Sequence, residues 1–311
     1  MEARTIGGLD VSVVGLGCNN FGGRIDAEAT QAVVDAAVDE GITLFDTADI
    51  YGDRRSEELL GKALGSRRDS IVLATKFGMG DGTNLPAGAS LSAVVAAVEG
   101  SLRRLGTDRI DLYQLHQPDD STGIDETLEA LDQLVRDGKV REVGCSNFDA
   151  KRLDEAAQSA ERTGTRRFVS VQNELNLLRR RGETELLTAC ARHDLAILPY
   201  FPLASGMLTG KYRRGEDPPP GTRQASLPAE RRDQVLSDRR FSVIEALEDF
   251  ARHRGHTLLE LAMSWLAGLP HLASVIAGAT TPEQVRANAA AVCWSLSDEE
   301  RSEVNALSLP G

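Results

Sequence analysis

The chain has 311 residues, 41% of them hydrophobic, and 35 Lys plus Arg face 47 Asp plus Glu for a formal net charge of −12. That length suits two ordinary domains or one α/β barrel with a sizeable core, while the charge speaks against a phosphate backbone or an anionic membrane as main partner. No apolar run approaches the ~20 residues of a membrane helix and the start lacks a basic region with a long apolar core, so the cytoplasm is the expected compartment.

A short hairpin opens the chain, and VVGLG then reads as a first strand. From there apolar extended runs alternate with amphipathic helices, the pattern of a parallel sheet covered by helices. Asp26 caps a helix with the stripe Val33, Val34, Ala37 and Val38, Gly41 ends it, and the strand Ile42 to Phe45 runs into Asp46. A helix through Glu57, Leu60 and Leu64 leads to the strand SIVLATK, ending at Lys76. Ser90 caps the next helix, Gly106 closes it, and RIDLYQLH ends at His116. After a helix through Leu128, Leu131 and Leu134, VREVGCSNF runs into Ser146 and Asn147. FVSVQNELN carries Gln172, LAILPYFPL carries Tyr200, and HLASVIAGA reaches Gly278.

These strand ends lie about 26 to 40 residues apart, one strand plus one crossover helix, with a longer last step. Eight such strands predict a single (β/α)₈ barrel over residues 1–311, plugged by the N-terminal hairpin, with reactive groups at the strands' C-terminal ends. An open doubly wound sheet ranks below it, because GLGCNNFGG lacks GxGxxG spacing. The long step contains RRGEDPPPGTRQASLPAERRD, and residues 213–235 are expected to be a mobile surface loop with nothing to bury. Cys18, Cys145, Cys190 and Cys293 show no metal or disulfide spacing and read as four buried, reduced thiols.

In a barrel, Asp46, Tyr51, Lys76 and His116 converge on one mouth. An ammonium ~4 Å from a phenol, at an effective dielectric of about 20, favours the phenolate by roughly 4 kcal/mol before desolvation is subtracted. Lys76 is therefore expected to tune Tyr51 as a proton donor, with Asp46 keeping Lys76 charged and His116 orienting a substrate oxygen or relaying a proton. Protonating an oxygen makes sense if a carbonyl is reduced, and the hydride must come from a nicotinamide. Asn147 and Gln172 offer amides for its carboxamide, Tyr200 a flat face for its ring, and Gly278 with the helix near Pro282 a phosphate site.

FDTADIYG, LATK, DRIDLYQLHQPD, GCSNF, VQNELN, PYFPLASGMLTGKY and IAGATTPEQVRAN resemble the aldo-keto reductases in order and spacing across nearly the whole chain. The resemblance implies a (β/α)₈ oxidoreductase that reduces aldehydes or ketones with NADPH, with Tyr51 as general acid and Asp46, Lys76 and His116 completing a tetrad. It further implies that Ser146, Asn147 and Gln172 bind the carboxamide and that Tyr200 stacks on the nicotinamide. Leu203, Ser205 and Lys211 would line the pyrophosphate, and Gly278, Thr280, Gln284 and Asn288 the adenosine end. Many NADPH-preferring members carry Lys or Arg where this chain has Thr280, which keeps NADH open beside NADPH. A cofactor-loaded redox sensor with negligible turnover, like the channel β-subunits resembling the family, is the alternative function.

Asn20, Phe21 and Phe77 are expected as substrate-pocket walls, and the run Arg179, Arg180, Arg181 as a solvated face. The ending LeuSerLeuProGly, residues 307–311, is too short to wall a pocket, which predicts an open site that accepts small or aromatic aldehydes.

Overall fold

The computed structural model describes residues 1–80 and 87–308. The last three residues of the LeuSerLeuProGly ending lie outside them. Strands β1 (Ala3–Ile6) and β2 (Leu9–Ser12) form an antiparallel hairpin. Eight parallel strands follow: β3 (Val14–Gly17), β4 (Leu44–Asp46), β5 (Val72–Phe77), β6 (Ile110–Leu115), β7 (Val140–Ser146), β8 (Ser170–Gln172), β9 (Ala196–Ile197) and β10 (Val275–Gly278). From β3 to β9 each pairs with the next in sequence, and β10 pairs with β3. The remaining seam, between β9 and β10, is closed by isolated parallel bridges, Ile197 to Leu272 and Tyr200 to Ile276. The predicted (β/α)₈ architecture is therefore present, with a tightly paired wall and one thinly bonded seam.

Side-chain alternation along the strands separates two apolar layers. Leu44, Val72, Ala74, Leu112, Leu198 and Ile276 pack together inside the barrel, and Ile6, Leu9 and Val11 of the hairpin join them as the plug. Phe45, Leu73, Tyr113, Leu115 and Val143 face outward into the larger core beneath the helices. The plug is tied in by polar contacts as well: Ser12 N–H donates to Thr43 Oγ1 at 2.8 Å, just before β4. It packs against the inner layer at the N-terminal end, so the strand-end constellation lies at the opposite, C-terminal mouth.

Several helices begin where the sequence supplies a cap. Helix α1 (Ala27–Asp39) starts at Asp26, which accepts from Ala29 N–H, and Gly41 leaves it at φ +75°. Helices α2 (Arg55–Leu64), α3 (Leu91–Leu105), α4 (Ile124–Arg136), α5 (Ala150–Thr163) and α6 (Glu183–His193) complete the crossovers up to β9. Ser90 caps α3, and the cap of α5 is Asp149 rather than Ser146 or Asn147. Residues 213–235 are not wholly without structure: they contain α7 (Ala229–Val235), and Gln224 is fully buried, its amide donating to Ser205 O at 3.1 Å. Helices α8 (Asp238–His253), α9 (Leu258–Ala267), α10 (Pro282–Ala290) and α11 (Asp298–Leu307) finish the outer layer. Cys18, Cys145 and Cys190 are buried as expected, whereas Cys293 is exposed, because it follows the end of α10. Among the described residues no helix is long and apolar enough to cross a membrane.

Candidate active site

Asp46 ends β4 and Lys76 lies near the end of β5, both facing inward, and their parallel register puts Asp46 beside Ala74. Lys76 is fully buried and its ammonium donates to Asp46 Oδ2 at 2.6 Å and to Thr47 O at 2.8 Å. Asp46 Oδ1 accepts from Gln114 Nε2 at 3.1 Å and Gln172 Nε2 at 2.9 Å. A buried ion pair is costly unless its spare lone pairs are filled, and these two amides fill them. Gln114 was not expected; it lies opposite Lys76 in the β5–β6 register and two residues before His116, hence on the same inward face.

Tyr51 stands over this pair, with Lys76 Nζ 5.1 Å from its ring centroid, and its ring meets His116 edge-on at 5.8 Å. The loop that carries it turns sharply through left-handed backbone at Gly52, Asp53 and Arg54. At Gly52 a Cβ would come within 2.1 Å of Phe21 O, so glycine is required there. Burial pushes the Tyr51 phenol above its ordinary pKa, the Lys76 charge pulls it down, and Asp46 raises it again. Lys76 thus lowers the phenol's pKa as expected, and desolvation outweighs that pull. Burial works against the Lys76 charge too, but Asp46 and then Tyr51 more than offset it and the lysine titrates above its ordinary value. Burial, with the Lys76 charge adding to it, pulls His116 down to about 3, so the imidazole is neutral at neutral pH.

The second group of residues meets at the same mouth. Tyr200 Oη donates to Asn147 Oδ1 at 2.9 Å, Asn147 Nδ2 donates to His116 O at 2.9 Å, and Ser146 Oγ donates to Gln172 O at 2.7 Å. The amide nitrogens expected to meet a carboxamide are therefore engaged inside the protein, and serving a ligand means exchanging those bonds. Asn147, Phe201, Ala204 and Ser205 all have φ between +46° and +61°. Such backbone costs of order 1–3 kcal/mol per residue and concentrates where a site over-determines geometry.

From Phe201 to α10 runs an elongated cavity of about 580 Å³, lined by Leu203, Ser205, Lys211, Gly278, Thr280, Gln284 and Asn288, the predicted pyrophosphate and adenosine residues, together with Asn20. Asn19, Arg24 and Arg223 are among the walls that sequence reading missed. Thr280 is engaged with Gln284, whose Oε1 accepts from its N–H at 2.9 Å and lies 3.1 Å from its hydroxyl. Lys211 is pulled below its ordinary pKa by burial and by the charges of Arg24 and Arg223. Among the described residues none of these three cations has a carboxylate within 4.0 Å. Asn20 donates to Ala279 O at 3.1 Å, while its buried Oδ1 has no partner among the described residues. This donor set fits an elongated polyanion such as a dinucleotide.

Two of the expected substrate walls are corrected. Phe77 is fully buried and stacks on Tyr113 at 4.6 Å in the outer core, because the residue after inward-facing Lys76 must face outward. Phe21 is likewise fully buried in that core.

A barrel with a buried Lys–Asp pair under a tyrosine at its C-terminal mouth narrows the field, and comparison with known proteins decides it. The Aldo/keto reductase family model matches residues 13–309. The chain belongs to the aldo/keto reductase family. It is similar to a protein named uncharacterized oxidoreductase YrpG of Bacillus subtilis, 37% identical over 304 residues covering 94% of this chain and 90% of that one. It is also similar to a probable voltage-gated potassium channel subunit beta of Arabidopsis thaliana, 34% identical over 94% of this chain and 91% of that one. Aldo-keto reductase YhdN of Bacillus subtilis is 32% identical over 96% and 91% respectively. This aldo/keto reductase is accordingly an enzyme of carbonyl oxidoreduction, in a family that generally uses a nicotinamide cofactor.

Proposed function

We propose that the enzyme reduces aldehydes or ketones to alcohols with NADPH, and that Tyr51 is the proton donor. The observation that carries this reading is the buried Lys76–Asp46 pair beneath Tyr51, closed by Gln114 and Gln172. When bound, the nicotinamide supplies the hydride. Tyr51 gives its proton to the carbonyl oxygen, and the phenolate left behind is held by the Lys76 ammonium, which Asp46 keeps protonated. Neutral His116 offers that oxygen a hydrogen bond without adding a charge. Ser146, Asn147 and Gln172 would hold the carboxamide and Tyr200 would face the ring. Leu203, Ser205, Gly278, Gln284 and Asn288 would line the rest of the dinucleotide. Arg24, Lys211 and Arg223 supply the positive charge that Thr280 does not, which favours NADPH over NADH.

The test is Tyr51→Phe. Carbonyl reduction should fall by at least about three orders of magnitude while NADPH still binds, followed by fluorescence; unchanged turnover would overturn the assignment. The names of three relatives, each a probable or putative potassium channel β-subunit, favour a second reading, a cofactor-loaded redox sensor. NADPH binding with negligible turnover across a broad carbonyl panel would select it.

A further inference from the structure

Beside the mouth lies a larger cavity, about 850 Å³, lined by six arginines: Arg179, Arg181, Arg223, Arg231, Arg239 and Arg240. Glu174 is the single acid among its lining residues, and Arg179 pairs with it at 2.8 Å. Among the described residues the other five have no carboxylate within 4.0 Å, although the chain carries 47 acidic residues against 35 Lys and Arg and most arginines elsewhere are paired. Like charges crowded round one hollow repel each other, so the arrangement stores positive potential that an anion would relieve.

Within the run of three arginines, Arg179 and Arg181 are exposed, as expected of a solvated face, while Arg180 is half-buried. Arg180 turns away, pairing with Glu183 at 2.6 Å and lying 5.1 Å from the Trp265 ring centroid, while Arg179 and Arg181 on either side line the cavity. The remaining four come from residues 223–240, which fold back over the same hollow.

The position connects this charge to the catalytic mouth. Glu174 forms a backbone bridge with Tyr200, and Asn176, another wall, donates to Phe201 O at 3.0 Å. Burial raises the Tyr200 phenol above its ordinary pKa, and the charges of Glu174, Arg179, Tyr51 and Lys76 also act on it. Ser205 and Arg223 are the walls shared with the cofactor cavity.

Resting on the carbonyl reductase reading, we propose that this cavity binds the oxyanionic end of the substrate, so that the enzyme acts on carbonyl compounds carrying a phosphate ester or a carboxylate. Guanidinium forks match either group in a bidentate manner, and a dianionic phosphate uses more of the six than one carboxylate can.

The cofactor-loaded enzyme is assayed at low ionic strength with glyceraldehyde, glyceraldehyde 3-phosphate and succinic semialdehyde. The phosphate or the carboxylate compound should exceed glyceraldehyde in kcat/KM by roughly tenfold or more, and the arm that does so names the group. Arg181→Gln, Arg231→Gln and Arg239→Gln, which spare the shared Arg223, should each erode that ratio, and salt should erode it in the wild type. Glyceraldehyde turnover with a ratio near one, or a ratio untouched by all three variants, overturns the proposal and leaves the reductase reading standing. If no aldehyde is turned over, the reductase reading fails. Calorimetric binding of glyceraldehyde 3-phosphate and succinic semialdehyde then decides: affinity lost in the triple variant supports the site, and absence of binding overturns it.

Discussion

Asp49, two residues before Tyr51, is fully buried, and neither carboxyl oxygen has a hydrogen-bond partner among the described residues. Burial, reinforced by the charge of Glu57, pushes it up to about 7, against the pull of Arg104. Its folded-state pKa therefore lies above the ~3.9 of an unfolded aspartate, so the native state holds the extra proton. That contribution is fully present below about pH 4 and is lost as pH rises through about 7; at most ~4 kcal/mol follows from the shift. Asp49→Asn removes the titration and leaves a cost of misfit that does not depend on pH. His116 works in the opposite sense: a neutral buried imidazole pulled to about 3 destabilises the fold as pH drops below about 6.5. The two partly cancel in the wild type, so the informative quantity is the difference between wild type and variant. Urea unfolding from pH 4.5 to 8.5 should show Asp49→Asn gaining on the wild type by several kcal/mol across that range, then levelling off. A difference that stays constant with pH would refute the reasoning.

The same neutral His116 predicts a kcat/KM profile for carbonyl reduction without a step near pH 6.5; a step there that disappears in His116→Gln would contradict it. Lys76→Met removes the charge that draws the Tyr51 phenol down and leaves Asp46 buried and unpaired. Reduction should fall by two orders of magnitude or more, and unfolding should show a loss of about 3–5 kcal/mol.

Much of the fold could be read from residue order because several strands run into a polar residue, as at Asp46, Ser146 and Gln172, and several crossover helices have a side-chain cap, as at Asp26, Ser90 and Asp149. The tetrad was legible for the same reason. Phe77 and Phe21 were misread because proximity along the chain was taken for proximity to the mouth, whereas strand parity turns Phe77 outward. Parity would also have found Gln114, two residues from His116. The arginine cavity was not legible: its arginines come from the two sides of Arg180 and from 223–240, and only the packing of those segments gathers exposed charges around one hollow. Arg24 and Arg223 escaped notice similarly, since loops carry neither the period of a strand nor that of a helix.

The seam between β9 and β10 has a consequence for how the barrel breathes. Backbone bonds cross it from Ile197 N–H to His271 O at 2.8 Å, Ala273 N–H to Ile197 O at 3.0 Å and Ile276 N–H to Pro199 O at 2.9 Å. A strand of two residues held this sparsely should open by local fluctuation below the free energy of global unfolding, with its amides among the early ones to exchange with deuterium. Tyr200 sits on that seam. A ligand that bridges Tyr200 to Gly278 would act as a staple across this joint, and amide protection at Ile197, Ala273 and Ile276 would record its arrival.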